Sequence, residues 1–179
     1  MALEHHGKSL GSRIKALGED HPDVARTYNN IALDYANQGK CDLALELYGK
    51  CLAINNEALG EDHLSVADTY TCIAAVFGKQ DKHGMALEQH EKSLAIRIKA
   101  LGEDHPSVGR TYYNIARTTY CKALLLWHQG ELARAGGIFR ESAVVYCKAY
   151  GAEHSGTLAA LSFARRCEEG GVCNEEYGS

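Results

Sequence analysis

Nine histidines and seven cysteines in 179 residues are the side chains with the most obvious chemistry here, metal ligation and thiol reactivity. Their spacing argues against both. His21, His63 and His105 recur at steps of 42 residues, and His154 follows 49 residues later. A metal needs its ligands converging on one point, about 2 Å away from each. Side chains one repeat apart in separate structural units cannot converge. His5 and His6 have no third ligand at a useful spacing, His83 and His90 stand apart on a second helix of the repeat, and no His-Glu-x-x-His is present. The expectation is no metal and no cofactor. The cysteines, at 41, 51, 72, 121, 147, 167 and 173, are odd in number and include no Cys-x-x-Cys pair. They read as reduced thiols of a cytoplasmic protein. Gly7-Lys8-Ser9 ends like a phosphate-binding loop, but the glycine required five residues earlier is Ala2. No Gly-x-Ser-x-Gly elbow, Rossmann glycine pattern or paired carboxylates appear, so the chain is expected not to be an enzyme.

What positions these residues is a repeat. Ala-Leu-Gly-Glu-Asp-His occurs at 16–21, 58–63 and 100–105, with a weaker copy at 149–154. A period of this size predicts stacked supersecondary units, each needing its neighbours to bury an apolar face. Two prolines and 45% hydrophobic residues argue against disorder, and a net charge of −4 argues against nucleic acid as a partner. The longest strongly apolar run, 123–127, is far too short to cross a bilayer.

Between the marks the pattern is helical. Tyr28, Tyr70 and Tyr112 form one column, Ile31, Ile73 and Ile115 the next, and Ala32, Ala74 and Ala116 a third. These positions are three to four apart and share one helix face. After a short break a second helix carries Ala44/Ala86, Leu52/Leu94 and Ile54/Ile96. Alanines on both helices let the axes approach closely. Gly18, Gly60 and Gly102 suit the left-handed position beyond a helix end, and Asp20 or His21 suits the cap of the next helix, with Pro22 or Pro106 in its first turn. The columns predict eight helices, near 3–16, 22–37, 41–58, 64–79, 83–100, 106–128, 131–149 and 155–168. The fold class is all-α, a right-handed solenoid of antiparallel helix pairs.

The run Tyr28, Ala32, Tyr35, Ala44, Tyr48 resembles the tetratricopeptide repeat. The 42-residue period, with Val-Ala-Arg-Thr-Tyr-Asn-Asn-Ile-Ala at 24–32, resembles the kinesin light chain type of that repeat. The resemblance implies a non-catalytic interaction scaffold with a peptide in its concave groove. It implies that the groove is lined by first-helix side chains off the packing face. By register these are Arg26, Asn29, Asn30, Leu33 and Asn37 in the first full repeat. The second supplies Asp68, Thr71, Cys72, Ala75 and Lys79, and the third Arg110, Tyr113, Asn114 and Arg117. In the family the second Asn of the Asn-Asn pair holds the ligand backbone. Asn30 and Asn114 match it, whereas Cys72 interrupts the row. Arg26, Lys79, Arg110 and Arg117 against Asp68 favour an acidic protein or peptide partner, with neither nucleic acid nor membrane involved. Alternatives are a self-associating structural module or a sensor array of a larger regulator.

The pattern departs from itself at two places. Residues 2–22 match residues 86–106 at 17 of 21 positions, so the chain opens on a second helix without its first. This suggests a fragment, and it leaves Leu3, Leu10, Ile14 and Leu17 without their usual partner helix, inviting end-to-end self-association. Gln38-Gly39 corresponds to Gln129-Gly130 at an interval of 91, twice 42 plus 7. Seven extra residues near 117–123 are nearly two helical turns, so the sixth helix can lengthen while keeping its stripe in place and Tyr120 and Cys121 on the groove side. The expected organisation is a single array over 1–168, with a half repeat at 2–21, repeats at 22–63, 64–105 and 106–154, a terminal helix at 155–168 and a flexible tail at 169–179.

Overall fold

A computed structural model describes the backbone of residues 2–169 and the side chains of residues 6–169. Within them the chain forms α1 (Ala2–Leu17), α2 (Pro22–Asn37), α3 (Cys41–Leu59), α4 (Leu64–Lys79), α5 (His83–Leu101), α6 (Pro106–His128), α7 (Leu132–Tyr150) and α8 (Ser155–Glu168), with no strand among the described residues. The 42-residue columns thus locate every helix to within one residue at each end. The tail beyond residue 169 lies outside the described residues.

The chain divides into two compact units, Met1–His105 and Pro106–Ser179. In unit 1, α1 packs on α2, α2 on α3, α3 on α4 and α4 on α5. The small-residue columns occupy the tightest positions: Ala32, Ala44 and Ala86 are wholly buried and Ala74 nearly so. Tyr48 of α3 fills the space between them, beside Ile73 and Val76 of α4. Tyr28, expected to be buried, is half-buried and packs at the edge of the cluster of Val24, Ala25, Cys51 and Ile54. Leu10 and Ile14 of α1 join the same cluster and are not left bare, while Leu17 is exposed. The side chain of Leu3 lies outside the described residues.

Unit 2 packs α6 on α7 and α7 on α8. α6 is one continuous helix of 23 residues, against 16 in α2 and α4. The insertion therefore lengthens the helix by seven residues without breaking it. Because 7 is close to two turns, Ala116 and Ala123 both face inward and are wholly buried. Tyr120 does not stay on the groove side: its ring sits 5.2 Å from Phe139 and 5.7 Å from Phe163. Cys121 is half-buried.

The repeated histidine is a helix cap. Nδ1 of His21, His63 and His154 accepts the backbone N–H of Asp23, Ser65 and Gly156 at 3.1, 3.2 and 3.1 Å. Each such bond satisfies one of the orphan donors of a helix start, and it places the ring proton of a neutral imidazole on Nε2. The glycine before it differs from expectation. Gly60 has φ 88° and ψ 156°, Gly102 82° and 159°, and Gly151 93° and 169°. The φ is positive, but the ψ lies far from the left-handed helical value, in a region essentially reserved for glycine. The reason is the turn that follows: this ψ aims the glycine carbonyl to accept the histidine N–H three residues on, at 3.2 Å for Gly60 and His63.

Candidate functional site

The predicted wall residues lie on α2 and α4 of unit 1 and on α6 of unit 2. On α2, Arg26 and Asn30 are exposed one turn apart, and Leu33 and Asn37 are exposed further along. Arg26 is tied to its own helix start, Nη2 lying 3.1 Å from Asp23 Oδ1. On α4, the exposed Lys79 donates from Nζ to the Ala36 carbonyl at 3.0 Å and lies 3.5 Å from Asn37 Oδ1. It thereby satisfies a carbonyl at the end of α2. Thr71 is turned inward: its hydroxyl donates to the Ala67 carbonyl at 3.1 Å and lies 2.9 Å from Ser93 Oγ of α5. Cys72 packs with Tyr48, and burial pushes its thiol up in pKa, as it does that of Cys51.

Asp68 is matched by a residue that register reasoning left out. Arg97 of α5 is buried, donates from Nη2 to Asp68 Oδ1 at 2.6 Å and from Nε to Ser93 Oγ at 3.2 Å. A cation inside the helix pair requires such partners. The available signal was a polar residue kept in register between apolar columns, Arg13, Asn55 and Arg97 at steps of 42.

Unit 1 also holds an open cleft of about 330 Å³. α2 contributes Asp23, Arg26 and Asn29, α3 contributes Cys51 and Asn55, and α4 contributes Ser65, Asp68 and Thr69. Of the predicted wall residues, Arg26, Asn29 and Asp68 belong to it.

In unit 2, Arg110, Asn114 and Arg117 follow one another at four and three residues on α6, so they share one face. Arg110 and Arg117 are exposed and Asn114 is half-buried. Among the described residues no carboxylate forms an ion pair with either arginine. Tyr113 is not free for a ligand: it meets Tyr146, Tyr150 and His154 edge-on, with centroids 5.7, 5.5 and 6.5 Å away. Thr71 and Tyr113 occupy the same register position, and in both repeats it faces the second helix of the pair.

Among the described residues, the cysteines at 41, 51, 72, 121, 147 and 167 form no disulfide, and Cys173 lies outside the described residues. The described His, Cys, Asp and Glu side chains form no group of three able to hold a metal, and no described helix is long and apolar enough to cross a membrane.

Paired antiparallel helices with an alanine seam, aromatic fillers and a first-helix wall define a helical repeat scaffold. Tetratricopeptide repeat family models match residues 1–57, 23–99, 65–122 and 115–156, and the chain belongs to that family, whose repeats are protein-interaction scaffolds, generally non-catalytic. Among solved structures it is similar to the nearly identical TPR-like repeats of a Podosopora anserina protein designated a candidate kinesin light chain. Identity there is 22% over 94% of this chain and 76% of the other, with a TM-score of 0.64. BtubC (BKLC) from P. vanneervenii matches at 21% identity over 97% of this chain and 76% of that one, with a TM-score of 0.59. These likenesses place the fold with kinesin light chain-like repeats. A comparison with curated protein sequences finds no match.

Proposed function

We propose that this scaffold binds an extended acidic peptide on a first-helix wall, and that the α6 wall is the one that carries charge selectivity. The observation that carries this reading is the triad Arg110, Asn114 and Arg117 on one face of α6, its two guanidinium groups exposed and free of carboxylate partners among the described residues. An Asn amide offers a donor and an acceptor to a peptide backbone, and the flanking guanidiniums suit carboxylates. On α2, Asn30 offers the same backbone contact, but Arg26 is already compensated by Asp23. An odd number of cysteines with no Cys-x-x-Cys pair supports a reducing, cytoplasmic setting.

A peptide array followed by titration tests the reading. Asn114→Ala should weaken acidic-peptide binding by about 1–2 kcal/mol, the effect of a lost hydrogen bond to a partly buried group. Asn30→Ala should do the same for peptides that use the unit 1 wall. The paired change Arg110→Ala with Arg117→Ala should abolish the preference for acidic sequences and flatten the salt dependence. Peptides indifferent to all four substitutions would overturn the reading. Light scattering then separates the rival: Leu17 is an exposed large apolar residue of α1, and a dimer abolished by Leu17→Lys with peptide binding intact would favour self-association.

A further inference from the structure

We infer that the cleft between α2, α3 and α4 is a seat for an arginine side chain of the bound peptide. The register shows why the cleft is open. Arg13, Asn55, Arg97 and Tyr146 occupy one repeat position, at steps of 42, 42 and 49. Three of the four reach across to a neighbouring helix. Arg13 donates from Nη1 to the Asp23 carbonyl at 3.1 Å and to Thr27 Oγ1 at 2.7 Å, both on α2. Arg97 donates to Asp68 and Ser93. Tyr146 lays its ring against α8 so closely that a Cβ on Gly156 would lie 2.8 Å from it. Asn55 is the short one. Its Nδ2 turns back along its own helix to Cys51 Sγ at 3.5 Å, and the 330 Å³ cleft stands in front of it.

The acceptors a guanidinium would use are present. Counting 42 residues on from Asp23 and Thr27 gives Ser65 and Thr69 of α4, and both line the cleft. Thr69 Oγ1 donates to the Ser65 carbonyl at 2.9 Å, as Thr27 does to Asp23 at 2.9 Å, so the local geometry that Arg13 reads on α2 is reproduced on α4. Asp68, a third lining residue, has a side chain 67% exposed and can accept a second guanidinium beside that of Arg97. Arg26 at the mouth is held by Asp23, which compensates its charge. Several acceptors at fixed angles match the planar fork of an arginine, not the point charge of a lysine.

This rests on the peptide-binding reading and adds one residue to the ligand, so it is tested with a small probe that does not need the rest of the wall. The whole chain, ¹⁵N-labelled, is titrated with N-acetylarginine methylamide and with N-acetyllysine methylamide at fixed pH and ionic strength. The arginine probe should give saturable shifts of the Asn55 side-chain amide and of the Ser65 and Thr69 backbone amides, with the lysine probe at least about fivefold weaker. Asn55→Arg, whose own guanidinium takes the seat, should abolish the Ser65 and Thr69 shifts and raise the melting temperature. If that variant does not fold, Asn55→Arg with Arg26→Asp, which copies the Arg97–Asp68 pairing, replaces it. Absence of arginine-dependent shifts at these three residues, an equal response to lysine, or shifts that survive in the filled variant would overturn the seat. Acidic peptides that bind α6 while the arginine probe fails would remove the seat and leave the proposed function standing. Arginine-specific shifts with no peptide bound on any wall would do the reverse.

Discussion

Unit 1 and unit 2 solve the same packing problem with different materials. Unit 1 repeats small residues, with Ala32, Ala36 and Ala44 around Tyr48. It adds polar junctions between helices, made by Arg13 with Thr27 and by Arg97 with Asp68. Unit 2 adds aromatic rings at some positions where unit 1 has alanine or a polar group, with Trp127 in the register of Ala36 and Tyr146 in that of Asn55. Trp127 and Phe163 lie 4.6 Å apart, and Phe139 and Phe163 stack at 5.2 Å. Tyr113, Tyr146, Tyr150 and His154 form a second cluster at the other end of the pair. The wall charges differ in the same way. In unit 1 Arg26 and Asp68 are paired with Asp23 and Arg97 and Lys79 is held by neutral acceptors, while in unit 2 Arg110 and Arg117 are exposed with no ion pair among the described residues. A repeat that keeps its backbone can therefore exchange its adhesive side by side with its binding surface.

The sharpest break of this comparison is in the cores. Phe139→Ala removes a wholly buried ring in contact with Tyr120, Trp127 and Phe163 and should cost about 3–5 kcal/mol in urea unfolding. Ala44→Gly in unit 1 removes one methyl and adds chain freedom, so about 1–2 kcal/mol is expected. Equal losses would show that the aromatic cluster is not what holds unit 2.

A device shared by both units comes next. Gly60→Asn and Gly151→Asn should each cost about 1–3 kcal/mol, although a Cβ there meets nothing within 4 Å. The strain is in the backbone alone. An Asn accepted at either site without loss would restore the ordinary left-handed reading of these turns.

Alkaline pH should bear on unit 1 through Tyr48, whose pKa burial raises well above the usual 10.0. Its neutral form is favoured in the folded state, so the stability is complete below pH 10.0 and is lost as pH rises further, by about 1 kcal/mol per pH unit. Tyr120 in unit 2, pushed up to about 12 by burial, adds a loss of the same sign. Tyr48→Phe should flatten the profile of chemical denaturation above pH 10.0, and an unchanged slope would remove this account.

The smallest effect is at the turns inside each pair. Gly39 and Gly130 have φ of 75° and 80°, and Asp81 holds the corresponding turn at φ 57°. The Lys40 N–H reaches the Tyr35 carbonyl at 2.9 Å and Lys82 reaches Phe77 at 3.0 Å, the same closure in both repeats. Asp81→Gly should therefore raise stability by about 0.5–1 kcal/mol in thermal melts, and no gain would mean that the Asp side chain offsets its own strain.

The periods by themselves determined the helices, because a core face recurring every 42 residues can be read from residue type alone. The tyrosine, isoleucine and alanine columns fixed where helices lie and which face they bury, and the 91-residue interval fixed the length of α6. The histidine caps were also legible, since register forbids those rings a common ligand. What only the tertiary structure decided are contacts between side chains whose distance in sequence carries no period. Arg97 with Asp68, Tyr113 with Tyr146, and the opening in front of Asn55 each depend on how far a side chain reaches across to the next helix. A column gives the position of a residue on its helix, but the length and flexibility of the side chain, and what stands opposite, determine whether it closes a junction, stacks in a cluster or leaves room for a ligand.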